Sequence, residues 1–439
     1  MVDAANLRAD ASAPGYARFA RNPFWLLVVM AASMQFIFGG WNVLSKNFAV
    51  DVLEFTGLEV GIQEAVREIP GFLSFLVIFL ILFIREQRLA LVSLVLLAFG
   101  TLITGVLPSF TGFLVTTTIM SIGFHYYEAC QQSLALQWLP KSIAPTLMGR
   151  IISYGAMAQL SAFAMVLALG WALDLGFAFL FAIIGGFGLL VVLWAMRTFP
   201  MFEQPVAQNK RIVLRKRYWL YYALVFMGGA RRQIFIVFAA LLLIERYGVT
   251  LETIAGLFLV NGIVSMLLAP LIGRFITAVG ERRALIVEYV GLMVVFTGYG
   301  FAAAPEWFGA DPLRGTLSVW VAAGAALYVL DHAFFAMAIA QKTYFQKIAD
   351  PADMAPTAAT AFTINHIAAV TMPFFFGLLW LYSPAAVFLS GSVMAFVSLC
   401  LSLMVPRNPR PGHETRSMFG ALLGGGSEGR AAAAAGSAS

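Results

Sequence analysis

Residues 121–140 read SIGFHYYEACQQSLALQWLP and complete a largely apolar run from Phe110 to Leu139. An α-helix of that length is long enough to cross the hydrocarbon core of a bilayer. His125, Glu128 and Gln132 follow the spacing i, i+3 and i+7, which places them on one face of this helix. A carboxylate inside a membrane span is costly unless it faces a cavity or a partner, so Glu128 predicts a functional cavity. The alternative is a structural hydrogen-bond network that joins helices.

The composition of the 439-residue chain is typical of an integral membrane protein. Hydrophobic residues make up 61% of it and charged residues only 11%, whereas soluble domains contain about 25% charged residues. Cys130 and Cys400 both lie in apolar runs, which argues against a disulfide or zinc framework. The net charge of +6 is explained better by basic loops that orient a membrane protein than by binding to nucleic acid. We therefore expect a lipid bilayer as partner, no nucleic acid and no removable signal peptide.

Apolar runs of about 20 residues, the length that spans a bilayer, predict twelve transmembrane helices. The predicted spans are 24–45, 60–84, 89–107, 110–139, 144–170, 175–197, 218–244, 253–277, 284–304, 316–340, 356–380 and 383–405.

The basic residues predict the orientation of these spans. With the N-terminus inside, 22 of the 28 lysines and arginines lie on the inner side, Lys342 among them. The outer loops contain only Lys46, Arg246 and Arg314, and three arginines lie within spans. By the positive-inside rule, this bias predicts a multi-pass protein of the cell (inner) membrane with both termini in the cytoplasm.

The longest and most basic loop divides the chain into two sets of six spans. The predicted organisation is a cytoplasmic segment 1–23, an N-terminal half 24–197, a basic linker 198–217, a C-terminal half 218–407 and a disordered tail 408–439. The two halves also repeat short features in the same order. Residues 144–146 and 355–357 both read Ala-Pro-Thr and open spans five and eleven. The span before each triplet ends near a glutamine, Gln137 in one half and Gln341 in the other. If the halves are aligned on these two glutamines, Glu128 is equivalent to His332.

Two six-span halves joined by a long basic loop resemble the major facilitator superfamily, over the chain to about residue 407. The most specific local sign is Gly273-Arg274-Phe275 followed by Gly280-Glu281-Arg282-Arg283, which is similar to the family's glycine-and-basic signature between spans eight and nine. The N-terminal counterpart keeps only residues 85–88, Arg-Glu-Gln-Arg. The resemblance implies an all-α membrane protein with two pseudo-symmetric halves, in which spans one, four, seven and ten line a central cavity.

Polar residues concentrate in those spans. Arg231 and Arg232 lie near the midpoint of span seven, where each arginine costs about 2.5–3.5 kcal/mol on insertion scales. We expect one arginine to face the cavity and the other to pair with a carboxylate such as Glu128 or Asp331. The alternative is a purely structural ion pair between the halves. Glu288, near the inner end of span nine, is interpreted as a solvated or paired helix end.

Acid and histidine side chains at similar depth are suited to a proton relay, because burial and neighbouring charges can bring either pKa toward the working pH. The predicted proton-coupling residues are Glu128, Asp331 and His332, assisted by His125. The predicted substrate-binding residues are Arg231, Arg232, Gln233, His125, Tyr126, Tyr127, Gln132, Trp41, Asn42, Tyr328, Asn365 and His366. The predicted gating residues are Glu64, Arg67, Glu68, Gly273, Arg274, Glu281 and Arg283.

These features predict a monomeric secondary transporter that moves a small anionic or zwitterionic organic solute by alternating access, coupled to protons. One alternative is a multidrug exporter of amphipathic compounds, which the aromatics Tyr126, Tyr127, Tyr328 and Phe335 would suit. Another is a scaffold or assembly factor that keeps a transporter fold without transport. The chain contains no Walker-type loop and no assignable nucleophile and base. We expect no enzyme activity, no cofactor and no metal.

Overall fold

The computed structural model describes residues 19–55, 57–173, 175–249, 251–308 and 317–417, and within these ranges the chain is almost entirely helical. We number the long helices α1 to α12. They comprise α1 (Pro23–Asn47), α2 (Gly57–Phe72, Leu73–Leu76 and Val77–Leu80), α3 (Glu86–Thr104), α4 (Phe110–Trp138), α5 (Ala144–Leu173), α6 (Phe177–Thr198), α7 (Trp219–Gln233, continued by wide π-helical turns at Ile234–Ala239 and Leu242–Arg246), α8 (Leu251–Val279), α9 (Glu281–Ala303), α10 (Leu317–Phe335 and Ala338–Ile348), α11 (Met354–Tyr382) and α12 (Pro384–Leu403).

Polar caps explain why several of these helices begin where they do. The Asn22 side chain accepts a hydrogen bond from the Phe24 amide at 3.0 Å, and Pro23 occupies the first helical position of α1. Ser109 caps α4 through the Gly112 amide at 3.1 Å. The predicted spans agree with the helices to within a few residues, except that span ten was predicted to end at residue 340 and α10 extends to Ile348.

Ten of the described helices are long and apolar enough to cross a membrane. The two long helices that miss this criterion are α2 and α4, because they carry polar residues in their interiors. In α2 these are Glu64, Arg67 and Glu68, and in α4 they include His125 and Glu128. The least apolar helices thus contain residues that are predicted to be functional.

The two halves meet closely where α5 packs against α8. A Cβ atom at Gly149 would lie 2.2 Å from the carbonyl oxygen of Ala269, and one at Gly273 would lie 2.3 Å from that of Pro145. Nearby, the amide of Gln346 donates to two carbonyl groups at the end of α4, at 2.7 and 2.9 Å. These contacts lie at the end of the bundle that carries the connection between the halves.

The connection between α6 and α7 is attached to both halves. Gln87 in α3 donates to the carbonyl of Pro200 at 2.9 Å and accepts from the amide of Phe202 at 2.8 Å. Further along, the Asn209 amide donates to the carbonyl of Ala352 at 2.8 Å. The linker is therefore a strap across one end of the protein.

The prediction of a disordered tail from residue 408 is corrected for residues 408–417, which make defined contacts. The Tyr344 hydroxyl donates to the carbonyl of Glu414 at 2.7 Å, and the Arg416 amide donates to that of Met404 at 2.8 Å. These hydrogen bonds hold the segment against the ends of α10 and α12. Residues 1–18 and 418–439, which include Arg8, Arg18 and Arg430, lie outside the described residues, as does Arg314.

The helix ends also correct the predicted register of the repeat. An offset of 210 residues separates Trp138 from Ile348, where α4 and α10 end, and Ala144 from Met354, where α5 and α11 begin. This offset equates Gln137 with residue 347, so its alignment with Gln341 was wrong by six residues.

Contacts of the equivalent residues agree with the corrected register. Gln137 donates to Glu86 at the start of α3 at 2.8 Å. Lys347 lies 2.6 Å from Glu281 at the start of α9. Glu128 is accordingly equivalent to Ala338 and not to His332.

Candidate substrate-binding site

A cavity of about 340 Å³ lies between the two halves near the middle of the helices. Helices α1, α4 and α5 line it from the first half, and α7 to α11 line it from the second. The expected contributions of α1, α4, α7 and α10 are therefore confirmed. Six charged residues face this cavity, three acidic and three basic: Glu128, Glu288, Asp331, Arg231, Arg232 and Lys342.

The first group of charges, which we name the acid-rich cluster, consists of Arg231, Glu288 and Asp331. The Nη2 atom of Arg231 lies 3.2 Å from Glu288 Oε1, and its guanidinium stacks over Tyr289 at 5.2 Å from the ring centroid. Asp331 also interacts electrostatically with Arg231. Among the described residues, Asp331 Oδ1, Glu288 Oε2 and Arg231 Nη1 are buried without a hydrogen-bond partner. Two carboxylates thus share one guanidinium.

Glu288 corrects an interpretation made from the sequence. It is paired, as one of the two predicted alternatives had it, but it is not a solvated helix end, because it is only 4% exposed and faces the cavity beside Arg231. Its position seven residues after Glu281, the first residue of α9, is about two turns inside the helix.

The second group, the base-rich cluster, consists of Glu128, Arg232 and Lys342. Glu128 interacts electrostatically with Lys342 and Arg232, and with Glu68 of α2. Two cations therefore surround the carboxylate of Glu128. Arg232 Nε and the Gln341 side-chain nitrogen are buried hydrogen-bond donors without a partner among the described residues. Lys342 faces this cavity, so counting it among the cytoplasmic lysines was wrong.

The local backbone separates these two clusters. Successive residues on an α-helix point about 100° apart, which directs Arg231 toward α9 and Arg232 toward α4. The π-helical turn Ile234–Ala239 follows directly after Gln233. Helix α10 is interrupted at residues 336–337, between Asp331 and Lys342. Interrupted helices near the midplane are typical of transporter binding sites.

The Major Facilitator Superfamily model matches residues 69–373, which is more than half of the chain. The chain belongs to the major facilitator superfamily. Solved structures of this superfamily also match the fold. The E. coli fucose:proton symporter FucP has 14% sequence identity and a TM-score of 0.64, with 87% of this chain and 97% of that chain covered.

Two further solved structures are similar. A bacterial homologue of the iron transporter ferroportin has 12% identity and a TM-score of 0.66, covering 86% of this chain and 98% of that one. The human organic anion transporter MFSD10 has 14% identity and a TM-score of 0.59, covering 89% of this chain and 100% of that one. No curated protein sequence matches the chain significantly. At these identities the similarity shows the fold alone.

In this superfamily member, seven of the predicted site residues line the cavity: Tyr127, Glu128, Gln132, Arg231, Arg232, Asp331 and Asn365. Both arginines face it, although we expected only one to do so. Gln132 also donates to the Tyr221 hydroxyl across the cavity at 3.4 Å. Lys342, Glu288, Gln341, Tyr221 and Tyr289 line the cavity and were not predicted as binding residues.

Other predicted residues lie outside the lining of this cavity: His125, Tyr126, Trp41, Asn42, Gln233, Tyr328, His332 and His366. Trp41 is 1% exposed and stacks on Phe38 and Phe113, so it packs between helices and does not face the cavity. His332 lies 2.9 Å from the hydroxyl of Ser265, which does face the cavity. The side chain of Phe335 lies outside the described part of the chain.

The predicted gating residues fall into two groups. Arg67 lies 2.8 Å from Glu64 and 2.6 Å from Glu68, which forms the predicted charge network within α2. At the strap end, Gly273 packs against α5 and Glu281 pairs with Lys347. Arg274 and Arg283 are exposed. A gating role for these residues stays a prediction.

Proposed function

We propose that the chain is a proton-coupled secondary transporter that moves a small zwitterionic or anionic organic solute by alternating access. Its superfamily and fold are those of secondary transporters. The observation that carries the finer proposal is the separation of the six cavity charges into an acid-rich and a base-rich cluster, each with unpartnered buried polar atoms.

The charge balance of each cluster suggests which part of a solute it binds. A carboxylate or phosphate group would accept hydrogen bonds from Arg232 and Gln341 and interact with the charge of Lys342. An ammonium group would donate to the free oxygens of Asp331 and Glu288. Because buried polar atoms without partners are unfavourable, a zwitterion that fills both positions gains more than a neutral solute of the same size. A cavity of about 340 Å³ is suited to a small solute.

Proton coupling follows from competition at Glu128. When Glu128 is ionised, it attracts Arg232 and Lys342. Protonation of Glu128 removes this competitor and leaves both cations available to the anionic group of the solute. Proton and anion then favour the same state of the site, so each increases the affinity of the site for the other, which favours symport. Among structures of similar fold, one is named a fucose:proton symporter and another an organic anion transporter.

The proposed placement is the cell (inner) membrane, as a monomer with both termini in the cytoplasm. With Lys342 reassigned to the cavity, 21 lysines and arginines remain on the inner side and three in the outer loops. The bias that sets the orientation is therefore almost unchanged.

Ligand binding tests the substrate class. The melting temperature of the purified protein is measured against a panel of zwitterions, organic anions, organic cations and neutral solutes, since a ligand of the native state raises stability with occupancy. We expect selective stabilisation by zwitterions or anions that is lost in Arg232→Gln and kept in Arg197→Gln, a control at an exposed position of α6. Selective stabilisation by lipophilic cations would overturn the proposed substrate class and favour drug export.

Transport in proteoliposomes tests the coupling. Glu128→Gln removes the titrating group but keeps a polar side chain of similar size. We expect this variant to lose uptake driven by a pH gradient while it retains counterflow exchange of labelled substrate. Unchanged uptake driven by the pH gradient in Glu128→Gln would exclude Glu128 as the coupling residue, without affecting the result of the binding panel.

A further inference from the structure

A second polar cluster lies beside the central cavity and does not line it. It consists of Glu68 in α2, His125 in α4 and His366 in α11, whose potential ligand atoms lie within 4.8 Å of one another. The two imidazoles are 2% and 3% exposed, and their ring centroids are 4.9 Å apart with perpendicular planes. The cluster joins two helices of the first half to one helix of the second.

The hydrogen bonding of His366 directs a lone pair into this cluster. Its Nδ1 atom lies 2.9 Å from the carbonyl oxygen of Phe362, which only a protonated Nδ1 can bond. In the neutral ring Nε2 is then an acceptor, and it faces Glu68 Oε2 at 3.8 Å. Two acceptors facing each other require a cation between them. An imidazole whose second nitrogen donates to a backbone carbonyl is the usual arrangement of a metal-binding histidine.

His125 decides between a proton and a metal ion. Its ring has a backbone hydrogen-bonding interaction with Arg67, and neither ring nitrogen makes a hydrogen bond of strict geometry to the described residues. One proton shared by His366 and Glu68 would therefore leave at least one ring nitrogen of His125 without a partner. A metal ion can accept a lone pair from all three groups. Zinc binds imidazole nitrogen and carboxylate oxygen at about 2.0–2.2 Å, so atoms already within 4.8 Å need only small side-chain rotations to share one ion.

The neighbouring charges are compatible with a cation. Arg67 contacts two carboxylates, Glu64 at 2.8 Å and Glu68 Oε1 at 2.6 Å, so this group carries a net negative charge. The Oε2 atom of Glu68 is left for the cluster. Arg232 also interacts with both histidines, and its charge is offset in part by Glu128, which it shares with Lys342, and by Glu68.

Gly71, one turn after Glu68, leaves the space that the two imidazoles occupy. A Cβ atom at this position would lie 2.6 Å from His366 Nε2 and 2.9 Å from the Cε1 atom of His125. Any larger residue at this position would force both rings or α2 to shift. The backbone of α2 is thus shaped around the cluster.

We propose that Glu68, His125 and His366 form a binding site for one divalent first-row transition-metal ion such as Zn²⁺. Two imidazoles and one carboxylate suit this class of ion, with a position left for water. Because the ligands come from both halves, the bound ion stabilises the arrangement seen here and slows alternation between conformations. The site regulates transport and is independent of the proposed substrate.

The test uses the full chain, purified without a histidine tag and stripped with a chelator. Zn²⁺ binding is measured by calorimetry, and Co²⁺ serves as a spectroscopic probe of imidazole ligation. We expect one ion per chain. Since even residues behind the ligands change metal affinity by about 10–100-fold, His125→Ala and His366→Ala should each lower the affinity by about 100-fold or more. His332→Ala, a buried histidine of α10 outside the cluster, is the matched control and should bind normally.

Melting curves recorded in chelator show whether each variant is folded, and Glu68→Gln provides a ligand change with almost no change in volume. Equal Zn²⁺ affinity in the wild-type protein and in folded His366→Ala would overturn the proposal. Loss of Zn²⁺ binding in the control His332→Ala would overturn it as well. Stabilisation of the wild-type protein by acid but not by Zn²⁺ would identify a proton site and also overturn it.

Discussion

At the end of the bundle crossed by the strap, each half pairs a buried carboxylate at the start of a helix, but the two halves use different partners. Glu86 begins α3 and Glu281 begins α9, and both carboxylates are almost completely buried. In the first half the partner is the neutral amide of Gln137, and in the second half it is the ammonium group of Lys347. The repeated backbone fixes where the contact forms, whereas the side chain decides whether it is charged.

The same difference recurs in the cavity. With the offset of 210 residues, Gln132 is equivalent to Lys342, and both line the cavity. Among the described residues that line the cavity, the first half contributes one charged residue, Glu128, and the second contributes the other five. Equivalent positions can therefore carry an amide side chain in one half and a charged side chain in the other. We infer that the second half holds the charged groups of the solute, while the first half supplies amide contacts and Glu128.

The interface between α5 and α8 should show the largest effect on stability. The equivalent interface of α2 with α11 contains the histidine cluster, but α5 and α8 meet through backbone at Gly149 and Gly273. Gly273→Ala or Gly149→Ala places a methyl group against a carbonyl oxygen that cannot rotate away, at a cost of about 3 kcal/mol. A lower melting temperature in detergent is the expected result.

Gly377→Ala is the matched control, because no heavy atom lies within 4 Å of an added Cβ at that position. A Gly273→Ala protein that melts at the same temperature as Gly377→Ala would show that the two helices are not in backbone contact. The α5–α8 interface would then resemble the side-chain interface of α2 and α11.

The sequence predicts the spans well because apolar length is a local property, and it predicts Glu128, Arg231, Arg232 and Asp331 because a charge in an apolar run is conspicuous. It does not predict the roles of Lys342 and Glu288. Each lies about two turns inside its helix, since α10 extends to Ile348 and α9 begins at Glu281. Charges this close to the end of a predicted span are easily interpreted as solvated.

The register of the repeat could not be obtained from single matching residues either. Gln137 and Gln341 share a residue type, but they do not lie at equivalent positions relative to the helix ends. The ends of the helices are set by turns and caps, and these repeat with an offset of 210 residues. Likewise, the meeting of His125 with His366 depends on the packing of three helices that are far apart in sequence. Such contacts are absent from any local pattern.

The buried pairs at the strap end should differ in how much they contribute to stability. Lys347→Met leaves the carboxylate of Glu281 buried without its partner, which costs about 2 kcal/mol, less than for a fully buried pair because the lysine side chain is 29% exposed. Gln137→Met should cost about 1 kcal/mol, since Glu86 keeps a hydrogen bond from Gln204 at 3.1 Å.

Melting temperatures of the two variants measure this difference, with Lys141→Met in the exposed connection before α5 as the control. Equal destabilisation by Lys347→Met and Gln137→Met would show that the charged Lys347–Glu281 contact stabilises the protein no more than the neutral Gln137–Glu86 hydrogen bond does. The contrast between the halves would then be confined to the cavity.

Moving one charge between equivalent cavity positions should change ligand affinity. Lys342→Gln gives both halves a glutamine, and it should weaken binding of the anionic or zwitterionic ligand found in the solute panel about tenfold, or roughly 1.4 kcal/mol. Adding Gln132→Lys to this variant returns the charge to the cavity from the first half. Both positions face the cavity: Lys342 interacts with Glu128, and Gln132 lies one helical turn after Glu128. The double variant should therefore recover part of the lost affinity, as measured by calorimetry. Full loss in both proteins would mean that the solute requires the cation at α10 itself, and it would make the difference between the halves a matter of geometry as well as charge.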